Sequence, residues 1–136
     1  MNTNDVLYLI INLPNFEKTA KRYYDKYKML DEYTGVQSIR MDRVIASGES
    51  KTYADIILEK DKHYKTYLYY IGKVNDIYNM LDVLNDLEKE IILDWYTTPK
   101  QFRKTADAFA KEKNISRRTF FDYKKEALIK LVEFNK

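Results

Sequence analysis

Residues 57–81 read ILEKDKHYKTYLYYIGKVNDIYNML, and this stretch decides the fold class. Apolar and aromatic side chains recur along it in alternating steps of three and four, the spacing of a coiled-coil seam on one helix face. The seam consists of Ile57, Lys60, Tyr64, Tyr67, Ile71, Val74, Tyr78 and Leu81, with one polar member. Leu68, Ile77 and Leu84 widen this face, so we expect the helix to pack on a neighbouring helix and to offer surface for a homodimer.

A second helical pattern precedes the seam. We expect Pro14 to interrupt the chain, after which the pattern predicts a helix over Asn15–Tyr33. Its apolar face consists of Phe16, Ala20, Tyr23, Tyr27 and Leu30. Many of the 13 tyrosines lie on these two faces, where we expect the rings to pack and the hydroxyls to reach the wet edge. The polar residues 34–53, between the two patterns, predict a loop.

The chain has only 3 glycines and 2 prolines in 136 residues, which disfavours a turn-rich β-sandwich or barrel. The sequence therefore predicts an all-α protein. We expect an N-terminal helical hairpin or coiled-coil module over residues 1–83 and a C-terminal helix-turn-helix domain over residues 84–136.

Several kinds of chemistry lack the residues they require. The chain has no cysteine, and its one histidine, His63, lies in a charged run where we expect a solvated side chain. The string Ser47–Thr52 resembles a phosphate-binding loop but lacks both glycines of that motif. We therefore expect no catalytic residues, no cofactor and no metal, and we do not expect an enzyme.

The amino terminus has a short apolar run, Val6–Ile11, which invites the interpretation of a signal peptide. Asp5 precedes the run without any Lys or Arg, and no small-residue cleavage site follows before Pro14. We therefore expect a cytoplasmic protein without a membrane segment.

Charge is divided unevenly along the chain. Residues 97–136 contain 11 Lys and Arg against 5 Asp and Glu, a net charge of +6, whereas residues 1–96 have a net charge of −3. A basic segment beside an acidic one is typical of a protein in which one part binds a polyanion.

Helix start signals are strongest in this C-terminal part. Asn85 with Glu88 predicts a capped helix that ends near Thr97. The string Thr98-Pro99-Lys100-Gln101 predicts a second start, for a helix that buries Phe102, Ala106, Phe109 and Ala110 and ends near Asn114. After a short turn, Ser116 predicts the cap of a last helix over residues 117–134, with Phe120, Ala127, Leu128 and Leu131 towards the core.

Two helices joined by a short turn are what a helix-turn-helix requires, and the second helix must present polar residues at its leading end. At 100° per residue, Arg118, Asp122 and Lys125 point away from Phe120, and we call these three residues the reading face. The remaining DNA-binding candidates flank that face or precede it: Ser116, Arg117, Thr119, Phe121, Arg103 and Lys104. We expect Ser116 chiefly to cap the helix, and Arg103 and Lys104 to contact backbone phosphates from the preceding helix.

The segment Leu84–Leu131 resembles region 4 of bacterial sigma-70-type factors. The residues that carry the resemblance are Leu87–Ile92, Ile115–Thr119 and Lys124–Leu128. It is most similar to the version in small phage-encoded transcriptional regulators of the RinA/ArpU kind, whose polar loop the stretch Met41–Ser50 also resembles. A departure from that pattern is Thr105–Lys113, which predicts a longer helix before the turn.

The resemblance implies transcription control. We expect a sequence-specific regulator, encoded by a phage or prophage, that binds promoter DNA and contacts RNA polymerase as an activator. One alternative is a small-terminase-like subunit that recognises DNA during phage packaging. The other is a helical protein-interaction adaptor that uses the Ile57–Leu81 seam and does not bind DNA.

Overall fold

The structure, a computed structural model, describes residues 1–36 and 53–136. All regular structure in these residues is helical, which confirms the predicted all-α class. The elements are α1 (Thr3–Val36), α2 (Tyr53–Leu81), α3 (Asp86–Thr97), a 3₁₀ turn (Lys100–Phe102), α4 (Ala106–Glu112) and α5 (Arg117–Phe134). No helix among the described residues is long and apolar enough to cross a membrane. The loop predicted over 34–53 lies outside the described residues except at its ends, where α1 finishes and α2 begins.

The chain forms two compact units. The terminal unit combines Met1–Pro14 with Val74–Lys136, and the middle unit is Asn15–Lys73. The terminal unit thus includes residues from both sides of position 84, the predicted domain boundary. Both α1 and α2 contribute residues to each unit.

Pro14 does not break the first helix, and the predicted start at Asn15 is wrong. Helix α1 begins at Thr3 and passes through the proline. Val6, Ile10 and Leu13 are buried on the amino-terminal side of Pro14. A proline inside a helix costs about 3 kcal/mol. Burying three aliphatic side chains contributes about 1.5–3 kcal/mol each and outweighs that cost.

In the middle unit, α1 and α2 contact each other through aromatic rings. Residues later in α1 meet residues earlier in α2, so the two helices run antiparallel. The ring pairs and their centroid distances are Phe16–Tyr70 at 6.3 Å, Tyr24–Tyr67 at 5.1 Å and Tyr27–Tyr64 at 4.7 Å. Near the far end of α1, Lys60 Nζ lies 3.1 Å from Asp31 Oδ1. Tyr27, Tyr64 and Tyr67, three of the tyrosines predicted to pack, take part in these contacts, whereas Tyr24 and Tyr70 lie outside the predicted faces.

The buried face of α2 coincides with the predicted seam at Val74 and Leu81 and departs from it elsewhere. Three seam members, Ile57, Tyr64 and Tyr78, are exposed, whereas Ile56 and Ile77 are buried. His63 is also on the packed side, contrary to the prediction that it is solvated. Its side chain is 18% exposed, with Nε2 3.5 Å from Glu59 Oε1 and the ring 5.8 Å from that of Tyr23. Alternating steps of three and four fit two adjacent faces equally well, and the partner helix decides between them.

Helix α3 begins as the sequence predicted. Asn85 Oδ1 accepts from the Glu88 backbone N–H, and Glu88 Oε1 accepts from the Asn85 backbone N–H, which completes a capping box. Ile91 and Ile92 are buried on this helix. Glu88 is buried as well, and its Oε1 lies 2.8 Å from Lys130 Nζ on α5.

The helix before the turn starts later and is shorter than predicted. Thr98 does not cap it, because the Thr98 hydroxyl donates to the Asp94 carbonyl, 2.7 Å away. Only a 3₁₀ turn follows, and Phe102, predicted to be buried, is 71% exposed. Helix α4 begins at Ala106, where the Thr105 hydroxyl accepts from the Ala108 N–H at 3.2 Å, and it has only 7 residues. The expectation of a longer helix was therefore wrong.

Candidate nucleic-acid interface

A tight turn joins α4 to α5. Asn114 adopts a positive φ of 60°, a conformation that asparagine tolerates better than most residues. The Asn114 N–H donates to Lys111 O at 3.1 Å and the Ile115 N–H donates to Ala110 O at 3.0 Å, the pattern of a Schellman motif. Ile115 also packs against the apolar cluster beneath the turn. These bonds and this contact define the direction in which α5 leaves the turn.

Ser116 caps α5, as predicted. Its Oγ accepts from the Thr119 N–H at 3.1 Å and donates to Thr119 Oγ1 at 2.8 Å. Both hydroxyl groups are therefore engaged at the helix start, and Thr119 is half-buried. The geometry assigns a structural role to this pair.

Phe120 anchors the first turns of α5 to the rest of the terminal unit. It is fully buried, with its ring centroid 5.1 Å from that of Trp95 and 5.2 Å from that of Phe109. Ile91 and Ala110 complete the buried cluster. A large aromatic side chain packed in such a cluster restricts rotation and sliding of the helix.

The three reading-face residues lie on the opposite side of α5. Arg118, Asp122 and Lys125 are all exposed. No residue in the described part of the chain forms an ion pair with any of them. The helix therefore presents one acidic and two basic side chains to solvent from a well-anchored backbone.

Arg117 and Phe121 flank the reading face on one side. The Arg117 guanidinium lies 5.5 Å from the centroid of the Phe121 ring, and its Nε is 3.6 Å from Asp107 Oδ1. Both side chains of that ion pair are mostly exposed, so the pair holds Arg117 only weakly. Phe121 is 40% exposed, which leaves much of its ring available for an apolar contact.

Arg103 and Lys104 are not on a helix, contrary to the prediction. They lie in the extended connection between the 3₁₀ turn and α4. Arg103 Nε donates to the Thr98 carbonyl at 2.9 Å, while the guanidinium lies 5.6 Å from the Trp95 ring and 5.7 Å from the Tyr96 ring. Lys104 forms a close ion pair with Glu112. Arg103 and Lys104, which the sequence predicted to act together, therefore have different environments.

Lys124 belongs to this surface and was not among the predicted site residues. Its ammonium lies within 5.1–5.9 Å of four ring centroids, those of Trp95, Tyr96, Phe120 and Phe121. Burial lowers the pKa of Lys124, and the nearby Arg103 charge lowers that pKa further. Spacing offered one signal: Arg117, Phe121 and Lys124 follow at steps of four and three and so share a helix face.

A cleft of about 250 Å³ lies beside this surface, between α3 and α4. Four of its charged side chains form ion pairs: Lys113 contacts Asp94 as well as the neighbouring Glu90, and Lys104 contacts Glu112. The hydrogen bonds that the Lys113 ammonium donates to Asp94 and Glu90 raise the pKa of Lys113. In the ranges 1–36 and 53–136, no three His, Asp or Glu side chains cluster to hold a metal ion.

No protein-family model matches this chain, and no curated protein or solved structure is significantly similar to it.

Proposed function

We propose that this protein binds double-stranded DNA, with α4, the turn at Asn114 and α5 acting as a helix-turn-helix. The observation that carries the proposal is the exposure of Arg118, Asp122 and Lys125 directly opposite the buried Phe120. A helix that reads DNA needs an immobile backbone and a free polar face at its leading end. The first three turns of α5 supply both.

The dimensions of α5 suit a major groove. Its 18 residues extend over about 27 Å, and an α-helix fits a groove about 12 Å wide. The reading face begins two residues after the cap, so the leading end of the helix carries the polar side chains. Residues further along α5, including Ala127 and Leu131, are buried and hold the helix to its own unit.

Each exposed side chain suits a particular base edge. The Arg118 fork is able to donate two hydrogen bonds to guanine O6 and N7, and Lys125 is able to donate to the same atoms singly. Asp122 accepts from the cytosine amino group, and Phe121 offers an apolar contact for a thymine methyl group. This combination supports sequence-specific recognition, beyond simple attraction to phosphates.

We further propose a role in transcription, which rests on the resemblance of Leu87–Ile92 and Ile115–Thr119 to sigma region 4. In this role a phage or prophage regulator would bind promoter DNA and use another surface to contact RNA polymerase. Homodimerisation through the 57–81 face stays a prediction. Several residues of that face, Tyr67 among them, contact α1 of the same chain.

Selection of bound duplexes from a random library tests the proposed function. Wild-type protein is expected to enrich one motif, and Arg118→Ala and Lys125→Ala are each expected to relax or abolish it. A guanine contact by Arg118 predicts a loss of about 1–3 kcal/mol in binding free energy.

Arg22→Ala is the matched control for Arg118→Ala, because it removes an arginine from the exposed side of α1 in the middle unit. Enrichment should survive this change. The proposal fails if wild-type protein retains no duplex, or if all variants recover the wild-type motif with unchanged affinity.

A further inference from the structure

We propose that Arg103 and Lys124 form a binding site for one phosphate of the DNA backbone, with Trp95 and Tyr96 beneath them. The inference rests on the proposed DNA binding and deepens it, because it names a contact outside the reading face. The two cations come from separate elements, the connection before α4 and the third turn of α5, and converge on the same two rings.

The distances define this convergence. The Trp95 ring centroid is 5.6 Å from Arg103 Cζ and 5.5 Å from Lys124 Nζ. The Tyr96 ring centroid is 5.7 Å and 5.9 Å from the same two atoms. An indole and a phenol ring attract cations electrostatically through their faces, so both rings attract both cations. The Arg103 charge is also near enough to lower the pKa of Lys124.

The two charges lack an acidic partner. Among the described residues, no carboxylate forms an ion pair with Arg103 or with Lys124. Three other basic residues of the terminal unit, Lys104, Lys113 and Lys130, do contact Asp or Glu. Two partly buried like charges repel each other, and an anion placed between them removes that penalty.

The hydrogen bonding of Arg103 leaves the anion-binding end of the side chain free. Its Nε donates to the Thr98 carbonyl, which fixes the plane of the guanidinium. Its terminal nitrogens donate to no acceptor in the described part of the chain. An oriented guanidinium fork beside a lysine ammonium suits the oxygens of a phosphodiester.

The position next to the reading face favours a backbone phosphate over an isolated anion. Phe121 lies between Arg117 and Lys124 on α5. The centroid of its ring is 5.5 Å from Arg117 Cζ and 5.1 Å from Lys124 Nζ. A row of positive charge therefore runs alongside the reading face. When a helix enters a groove, residues flanking its base-reading face meet the phosphates at the groove edge.

The salt dependence of duplex binding tests the site. The double variant Arg103→Gln/Lys124→Gln is expected to reduce the slope of log K against log [salt] by about 0.9, the contribution of one phosphate. Across a fourfold rise in salt, its affinity would fall about 3.5-fold less than that of the wild type. Each single variant keeps one cation at the phosphate. Its slope should therefore fall by clearly less than half of the reduction expected for the double variant.

Two further variants provide controls. Lys21→Gln/Arg22→Gln likewise removes one lysine and one arginine charge, but from α1, and should keep the wild-type slope. Arg103→Lys/Lys124→Arg keeps both charges and should also retain it, which separates loss of charge from loss of folding. The site is refuted if the charge-removing double variant keeps the full slope, or if the control on α1 loses as much.

Trp95, the single tryptophan of the chain, provides a local readout. Adding duplex DNA should change the Trp95 emission of the wild type and of the α1 control, and should leave that of Arg103→Gln/Lys124→Gln nearly constant at equal occupancy. If the wild type binds no duplex, the proposed function and the site fail together. If reading-face variants weaken binding while the double variant keeps both slope and emission change, only the phosphate site fails.

Discussion

Glu112 is an exposed carboxyl group whose titration depends mainly on one neighbour. A hydrogen bond from the Lys104 ammonium lowers the pKa of Glu112 below its ordinary value of 4.5, and the attraction between the two charges lowers it further. The same contact occupies Lys104, which therefore offers less to an external anion than Arg103 does. The two adjacent basic residues therefore differ, because Lys104 forms an ion pair with Glu112 and Arg103 forms none with a described residue.

Replacing Lys104 by Gln is expected to raise the pKa of Glu112 towards 4.5. Because the folded-state pKa is depressed, the pair stabilises the fold at pH values above 4.5, and this contribution is lost as pH falls through the lowered pKa. NMR titration of the Glu112 carboxyl carbon measures the shift. Lys100→Gln serves as the control and should leave the Glu112 midpoint unchanged. Equal midpoints in the wild type and in Lys104→Gln would refute the assignment.

Glu88 links two helices of the terminal unit. It completes the capping box of α3, and its Oε1 also accepts a hydrogen bond from Lys130 on α5 at 2.8 Å. Its Oε2 is buried and accepts no hydrogen bond from the described residues. The carboxylate therefore depends on Lys130 for much of its compensation in a buried position.

Replacing Lys130 by Met is expected to destabilise the protein by about 1–3 kcal/mol, because the buried carboxylate loses its charged partner. Adding Glu88→Gln should recover much of that loss, since glutamine retains the capping box without the charge. Urea unfolding of the single and double variants measures both effects.

Lys89→Met makes the same substitution at an exposed pair, because Asp82, the partner of Lys89, is 66% exposed. Its cost should stay below about 1 kcal/mol. If Lys130→Met lowers the free energy of unfolding no more than Lys89→Met does, Lys130 does not compensate the buried Glu88 carboxylate.

The elements that the sequence predicted best begin with a self-contained local signal. Asn85 with Glu88 and Ser116 with Thr119 form their bonds within four residues, so nothing distant is needed to recognise them. Local signals alone do not predict where α4 starts. Thr98 and Thr105 both suit a cap, and the bond from Thr98 to the preceding helix removes it from that role. Helix α1 likewise continues through Pro14 because Val6, Ile10 and Leu13 are buried. Local helix propensity does not include that burial.

The candidate site was predictable to the extent that it depends on one helix. Helical periodicity placed Arg118, Asp122 and Lys125 opposite Phe120, and the structure exposes all three. The Arg103–Lys124 pair was not predictable in this way, because it depends on where Trp95 and Tyr96 pack against α5. Tertiary contacts also explain why the two adjacent residues differ: Arg103 lies near Trp95 and Tyr96, whereas Lys104 contacts Glu112.

In the molecule as a whole, the excess positive charge lies in the last forty residues. The described basic residues of the terminal unit fall into two groups. Some basic residues, such as Lys113 and Lys130, stabilise the terminal unit through ion pairs. Others, among them Arg118 and Lys125, have no such partner in the part of the chain that the structure describes. The second group supplies the surface that we propose for DNA.

Protection of guanine N7 from dimethyl sulfate tests this account most directly, because N7 lies in the major groove where α5 is proposed to bind. On the duplex selected by the wild type, at saturating protein, we predict that at least one guanine N7 becomes unreactive. Arg118→Ala, at equal occupancy, should restore methylation at that guanine, whereas Arg22→Ala should leave it protected. A fully occupied duplex whose guanines all remain as reactive at N7 as in free DNA would contradict the account.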